Sequence, residues 1–111
     1  MNSQQIANTI KEQVGSRALF MLGAKYGVSS TGRGGTELGG ISFRIGRNAK
    51  GVTHVKISLD ATDTYKVDFI KQKRAPSHEV VFLATVEDVY VDNLHAVIED
   101  GTGLRTSLGA A

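Results

Sequence analysis

Residues 41–69 decide the fold, and their sequence is ISFRIGRNAKGVTHVKISLDATDTYKVDF. Polar and apolar residues alternate in three segments of this stretch, 41–45, 53–59 and 65–69. This period of two is typical of β-strands that bury one face. The two connecting segments are short and contain Asn, Asp, Gly and Thr, which favour turns. The stretch therefore predicts an antiparallel meander with one apolar face and one solvated face.

The alternation also assigns each side chain to one face of the predicted sheet. We expect the helix-covered face to carry the apolar set Phe43, Ile45, Val55, Ile57, Leu59, Tyr65, Val67 and Phe69. We expect the solvated face to carry the polar set Ser42, Arg44, His54, Lys56, Ser58, Lys66 and Asp68.

The sequence before the meander predicts a helix, a short apolar element and a loop. Residues 3–14 have apolar positions at helical spacing behind Ser3, a favourable N-cap residue. Residues 18–22 form a continuous apolar run, which we interpret as a buried strand, although its periodicity is equally compatible with more helix. Residues 23–40 contain seven glycines and predict a long, flexible loop.

The sequence after the meander predicts one more strand and a final helix. Residues 71–77 form a basic loop, and residues 79–86 are β-branched and apolar. Asp88 or Asp92 can cap the helix that follows. The whole chain, 1–111, is predicted to be one α+β domain. We expect an antiparallel meander sheet of about four or five strands, with an N-terminal and a C-terminal helix packed on one face.

Composition excludes several classes of protein. The chain has 111 residues, of which 41% are hydrophobic and 22% charged, as in a single globular domain. The absence of cysteine excludes disulfides, cysteine nucleophiles and thiolate zinc sites. No apolar run is long enough to span a membrane, and no signal peptide is visible. We therefore expect a cytoplasmic protein.

The charges are distributed unevenly along the chain. The net charge is +2. Residues 41–74 contain eight basic and three acidic side chains, whereas residues 75–111 contain one basic and six acidic side chains. Such asymmetry predicts a surface that faces a polyanion, or two surfaces that attract each other.

Two sets of charged residues are candidate binding sites. The candidate nucleic-acid contacts are basic residues of the solvated face and the flanking loops: Arg44, Lys56, Lys66, Lys71, Lys73 and Arg74. An ordinary solvated sheet face explains the same lysines. The candidate contacts to a partner protein are Arg33, Glu37, Asp88, Asp92, Glu99 and Asp100.

No motif for catalysis, metal binding or cofactor binding is evident. Residues 27–34 have the glycine spacing of a P-loop but lack its lysine and its following Ser or Thr. The three histidines do not have metal-ligand spacing, and no serine lies in a nucleophile elbow. We therefore expect a protein that is not an enzyme and that has no catalytic residues, metal or cofactor.

Five segments carry a resemblance to known sequences. They are MLGAK at 21–25, ISFRI at 41–45, VKISLDATDTYKVDF at 55–69, VYVDNL at 89–94 and TGLRTSL at 102–108. Together they resemble a group of small, mostly uncharacterised proteins of phages, prophages and other mobile elements. The glycine-rich stretch 27–40 is longer than in similar sequences.

This resemblance implies a context and not a mechanism. Small mobile-element proteins without enzyme motifs often act by binding, as replication accessories or as inhibitors of host defence such as anti-CRISPR proteins. The first hypothesis is therefore an inhibitor of a host nucleoprotein complex, with Asp88, Asp92, Glu99 and Asp100 mimicking nucleic acid. The alternative is a nucleic-acid-binding accessory module. An exposed edge strand could also pair two copies into a homodimer.

Overall fold

The computed structural model describes residues 2–24, 27–32, 34–74, 76–77 and 79–106. In chain order the elements are α1 (Ser3–Val14), α2 (Ser16–Leu22), β1 (Val28–Thr31), β2 (Glu37–Arg44), β3 (His54–Asp60), β4 (Tyr65–Gln72), β5 (Val80–Val89), a 3₁₀ turn (Val91–Asn93) and α3 (Leu94–Thr102).

The strands form one antiparallel sheet in the order β1-β2-β3-β4-β5. Phe43 lies opposite Val55, and Val55 lies opposite Phe69 on its other side. Because paired residues point to the same face, this register collects the apolar side chains on what we call the inner face. The opposite side is the outer face. The α+β meander predicted from the sequence is confirmed.

The helices cover the inner face at its two ends. Helix α1 packs against β1 and β2, whereas α3 packs against β4 and β5. Helix α1 begins at a capping box in which Asn2 accepts a hydrogen bond from the backbone N–H of Gln5. Its residues Ile6, Ile10 and Val14 are buried, as the spacing predicts.

Two close approaches fix the positions of these helices. A Cβ atom on Gly101 of α3 would collide with the buried ring of Phe69, so glycine allows the helix to lie directly on that ring. The Nε2 atom of His95 in α3 lies 2.7 Å from the carbonyl oxygen of Val14, which ties α3 to the end of α1. The helices and the sheet therefore share one core.

Two predictions about the segment before the meander are wrong. The run at 18–22 lies in helix α2, not in a strand, with Ala18, Leu19 and Leu22 buried and Phe20 exposed. This one-sided burial is what a helix produces and a doubly buried strand does not. Residues 23–40 are not one continuous loop, because they contain β1 and the first residues of β2.

Other boundaries differ by a few residues. Strand β4 extends to Gln72 and β5 extends to Val89, so the basic loop is shorter and the last strand longer than predicted. Gly103 ends α3 in the left-handed conformation, as a C-cap glycine commonly does. Leu59 is only partly buried on the inner face.

Candidate nucleic-acid interface

On the outer face, a carboxylate lies between two of the predicted phosphate-binding lysines. The Nζ atom of Lys56 lies 3.0 Å from Glu37 Oε2, and the Nζ atom of Lys66 lies 2.7 Å from Glu37 Oε1. The Glu37 side chain is only 13% exposed. Both lysines therefore pair with a carboxylate of the same chain, which reduces their availability to an external phosphate.

The pKa values of this cluster reflect the pairing. Burial alone would raise the pKa of Glu37, but the hydrogen bonds from Lys66 and Lys56 outweigh it and hold the pKa below its usual value. The hydrogen bond to Glu37 raises the pKa of Lys66. Glu37 and Lys66 are therefore both charged at neutral pH, and their charges partly cancel.

A bulge and a glycine bring Glu37 to this position. The pairing of β2 with β3 shifts between Glu37 and Gly39, so Leu38 is an extra residue in β2. Next to the bulge, Gly40 lies opposite Ser58. Ser58 is fully buried although it belongs to the outer face. The carboxylate can therefore extend over the middle of the sheet, where no side chain of residue 40 blocks it.

A second polar side chain of the outer face is also buried. Asp68 on β4 is 3% exposed and accepts a 2.7 Å hydrogen bond from the hydroxyl of Thr85 on β5. With Ser58, it shows that the predicted solvated face is partly enclosed. The prediction of an evenly hydrated face is therefore wrong at these two positions.

Three arginines converge at one end of the sheet. Arg44 at the end of β2, Arg47 in the following loop and Arg74 after β4 line one cleft of about 310 Å³, which we call the arginine cleft. None of the described residues that line it carries a carboxylate. Within the described part of the chain, these arginines form no ion pair. The arginine cleft is therefore a concentration of uncompensated positive charge.

The loop that carries Arg47 is held in place by Asn48. The Asn48 side-chain amide donates to the carbonyl oxygens of Gly46 at 2.9 Å and Val52 at 2.7 Å. Its carbonyl oxygen accepts from the backbone N–H of Val52 at 3.1 Å. The N–H of Gly46 also donates to the carbonyl oxygen of Leu22 at the end of α2. The guanidinium of Arg47 therefore extends from a backbone with a defined shape.

The floor of the arginine cleft is tied to β4 through Thr53. The Thr53 N–H donates to the carbonyl oxygen of Ile70 at 2.8 Å, and its hydroxyl accepts from the N–H of Gln72 at 2.8 Å. His54 follows directly. Burial, and then the nearby charge of Arg44, lower the pKa of His54, so its imidazole is neutral at pH 7.

The other predicted basic contacts do not join the cleft. Lys71 is exposed at the end of β4. The ammonium of Lys73 lies 3.9 Å from Glu79, with both side chains about half exposed. The structure thus divides the predicted basic set into the outer-face pair, the two cleft arginines Arg44 and Arg74, and these two lysines beside β5.

The described candidate contacts to a partner protein belong to several elements, β2, β5, the 3₁₀ turn and α3. Arg33 lies outside the described residues, and Glu37 is engaged by the two lysines. Asp88 at the end of β5 has a positive φ of 55°, and Asp92 lies in the 3₁₀ turn. Both are exposed.

Two acidic residues of α3 have other surroundings. Glu99 accepts hydrogen bonds from the backbone N–H of Thr106 at 2.8 Å and from its hydroxyl at 3.0 Å. These two bonds lower the pKa of Glu99, the backbone bond most. Asp100 lines an apolar groove with Lys50. Glu99 therefore holds residues 103–106 against α3, whereas Asp88, Asp92 and Asp100 are exposed.

Other functional classes gain no positive evidence. Among the described residues, no group of three His, Asp or Glu side chains is close enough to hold a metal ion. None of the described helices combines the length and the apolar character that crossing a bilayer requires.

Sequence reasoning missed Arg47 as a site residue. The only local signal is its position between Gly46 and Asn48, in a segment rich in turn residues. Neither a family model, nor a curated protein, nor a solved structure matches this chain. The functional argument therefore depends on the geometry of the chain itself.

Proposed function

We propose that this chain is a non-enzymatic binding protein that contacts the phosphate backbone of a nucleic acid through the arginine cleft. The observation that carries the proposal is the convergence of Arg44, Arg47 and Arg74 without a carboxylate among the described lining residues. A guanidinium stays charged at every physiological pH and presents a planar fork of donors that matches phosphate oxygens. Three of them in one cleft favour a polyanion as the ligand.

The hydrogen-bonded loop around Asn48 supports this proposal, because a loop that is already ordered reduces the conformational entropy lost on binding. A binding site that is already shaped loses less conformational freedom when the ligand arrives. The bonds from Asn48 and Thr53 hold the backbone around the cleft before any ligand binds. The outer-face lysines contribute less, because Glu37 competes with phosphate for both of them.

The experiment is binding of labelled single-stranded DNA, duplex DNA and RNA, followed by fluorescence anisotropy at several salt concentrations. For duplex DNA, three phosphate contacts predict a slope of about −2.7 in log K against log salt. The triple variant Arg44→Gln/Arg47→Gln/Arg74→Gln is expected to abolish this dependence. The control removes the same charge elsewhere, with Lys11→Gln/Arg17→Gln/Arg105→Gln, and is expected to keep most of the affinity.

Two results would overturn the proposal. One is the absence of binding to all three nucleic acids at low salt. The other is equal loss of affinity in the cleft variant and in the control, which would indicate that only the net charge matters. Asn48→Ala gives a further check, because it leaves the charge unchanged and removes the bonds that shape the loop. We expect it to weaken binding less than the triple variant does.

The second candidate function is contact with a protein in a host defence complex, in the host cytoplasm. It rests on the resemblance to mobile-element proteins and on one structural observation. Tyr90 and Val91 are 60% and 50% exposed and lie between the exposed carboxylates of Asp88 and Asp92. Exposed aromatic and apolar side chains flanked by charge are typical of protein contact surfaces.

This candidate is tested with an RNA-guided nuclease complex as the probe. Inhibition of target cleavage is measured for the wild-type chain, for Asp88→Asn/Asp92→Asn and for the triple cleft variant. If the acidic turn contacts the complex, the first variant loses inhibition and the cleft variant keeps it. If only the cleft variant loses inhibition, contact occurs through nucleic acid. Wild-type protein that leaves cleavage unchanged would count against inhibition of this complex.

A further inference from the structure

Strand β5 is an unusually exposed and apolar edge. Within the described residues it has one neighbouring strand, β4, and it is ten residues long. Phe82 is 59% exposed and Leu83 is 43% exposed. An edge strand offers unpaired backbone N–H and C=O groups, and a long apolar one is a ready template for another strand.

The other edge of the sheet is different. Strand β1 has only four residues, Val28–Thr31, and its two central residues are exposed serines. Short, polar edges are one way in which proteins prevent edge-to-edge pairing. The contrast within one sheet indicates that β5, and not β1, is suited to a partner strand.

The apolar surface of β5 extends over both faces of the sheet. Phe82 lies opposite Ile70 on the outer face, and Val86 lies opposite Val67 on the inner face. On the inner side a groove of about 350 Å³ separates β5 from α3, and Leu83, Val86 and Val97 contribute to its lining. A strand paired along β5 could therefore bury apolar side chains above and below the sheet.

The charges at the two ends of β5 are opposite. Near its beginning lie the cations of Lys71 and Lys73, with the carboxylate of Glu79. At its end lie the carboxylates of Glu87 and Asp88. Antiparallel pairing of two identical strands places each basic end beside the partner's acidic end, and does so twice. Parallel pairing would place like charges together.

Bulges limit where such a pairing can occur. The register of β4 and β5 shifts next to Leu83 and again near Glu87 and Asp88. The shift near Glu87 and Asp88 ends the pairing segment at about Val86, and the shift next to Leu83 divides the segment Val80–Val86 into two short runs on either side of a two-fold axis near Leu83. A two-fold contact uses the same edge of both copies and leaves none for a third, so the assembly is closed.

We propose that two copies of this chain associate through antiparallel pairing of their β5 strands, which joins the two sheets into one continuous sheet. This inference does not depend on nucleic-acid binding, because the arginine cleft and the β5 edge are separate surfaces. The partner is a second copy because the strand is complementary to itself in charge when the two run antiparallel.

The test is the oligomeric state of the full chain, measured by sedimentation velocity over a range of protein concentrations. The monomer has a mass of 11.9 kDa, and we expect a species of twice that mass. Phe82→Ser is expected to raise the dissociation constant about tenfold or more, because the side chain is at the centre of the contact. Its far-ultraviolet circular dichroism is expected to be unchanged, because Phe82 is exposed in the monomer.

Charge reversal tests the orientation of the strands. Glu87→Lys cancels the net negative charge at the end of β5, because Asp88 remains there, whereas Lys71→Glu/Lys73→Glu makes both ends acidic. Each variant is expected to dimerise poorly alone, and an equimolar mixture is expected to form heterodimers. Glu12→Lys on α1 is the matched control and is expected to dimerise like the wild type. A wild-type chain that is monomeric at every concentration would overturn the proposal. It would also be overturned if each charge variant dimerised as well alone as in the equimolar mixture.

Discussion

The carboxylate of Glu37 stabilises the outer face, and Glu37→Gln tests how strongly. Each charge-assisted hydrogen bond contributes about 1.5–3 kcal/mol when it is well shielded. The side chains of Lys56 and Lys66 are about a quarter exposed and can regain water, so we reduce this to about 0.5–1 kcal/mol per pair. The expected loss in the free energy of unfolding is about 1–2 kcal/mol, or about 4–8 °C in Tm.

The assay is urea unfolding and thermal unfolding followed by circular dichroism, at neutral and at acidic pH. The control is Glu79→Gln, the same substitution in the pair with Lys73, which is long and about half exposed. We expect Glu79→Gln to lower the free energy of unfolding by less than about 0.5 kcal/mol.

The pH dependence follows from the lowered pKa of Glu37 in the folded chain. Its contribution is fully present above the unfolded pKa of about 4.5 and is lost as the pH falls through the folded value. The difference between wild type and Glu37→Gln is therefore expected at pH 7 and should narrow in acid. Equal stability at pH 7, or a difference that persists unchanged in acid, would refute this reasoning.

The same variant separates two possible nucleic-acid surfaces. Removing the charge of Glu37 leaves Lys56 and Lys66 available to an external phosphate. If duplex DNA lies on the outer face, the magnitude of the salt slope should rise by up to about two. If DNA lies only in the arginine cleft, the slope should stay as in the wild type.

Three further predictions concern the core and the packing of the chain. Gly40→Ala should lower the free energy of unfolding by about 1–3 kcal/mol, because the added Cβ would lie 2.8 Å from the Cα of Ser58 on the facing strand. Gly34→Ala has open space around its Cβ and should leave the stability nearly unchanged, and chemical denaturation compares the two variants. Phe69→Ala should lower the free energy of unfolding by about 3–5 kcal/mol, because Phe69 is only 1% exposed. Phe20→Ala should lower it by less than about 0.5 kcal/mol, because Phe20 is 83% exposed, and equal losses would contradict the assigned packing. Glu99→Ala should lower the free energy of unfolding by about 1 kcal/mol and speed amide hydrogen exchange at Thr106, because it removes both hydrogen bonds from Thr106; unchanged exchange would contradict this anchoring role.

The meander was predictable because its signal is local. A strand alternates its side chains between two faces whatever its neighbours are, so residues 41–69 indicate both the strands and the buried set. Helix α1 was predictable for the same reason, since Ile6, Ile10 and Val14 repeat with the helical period.

The segments between α1 and the meander depend on more distant contacts. The run at 18–22 is apolar throughout, so its sequence does not show which side is buried. The helix is set by the glycines on either side, Gly15 and Gly23, both at positive φ. Strand β1 has a weak pattern of its own and forms by pairing with β2, where Val28 lies opposite Phe43.

The sequence by itself determined the apolar faces of α1 and of the meander strands and the order in which these strands follow one another, because backbone geometry imposes those periods residue by residue. Only the tertiary structure determined which charged side chains lie close together. Glu37 reaches two lysines that are 19 and 29 positions away through a bulge in β2. Arg44 and Arg74 meet because β2 and the end of β4 reach the same end of the sheet. Such meetings depend on strand register and loop shape, which long-range packing sets and local sequence patterns do not contain.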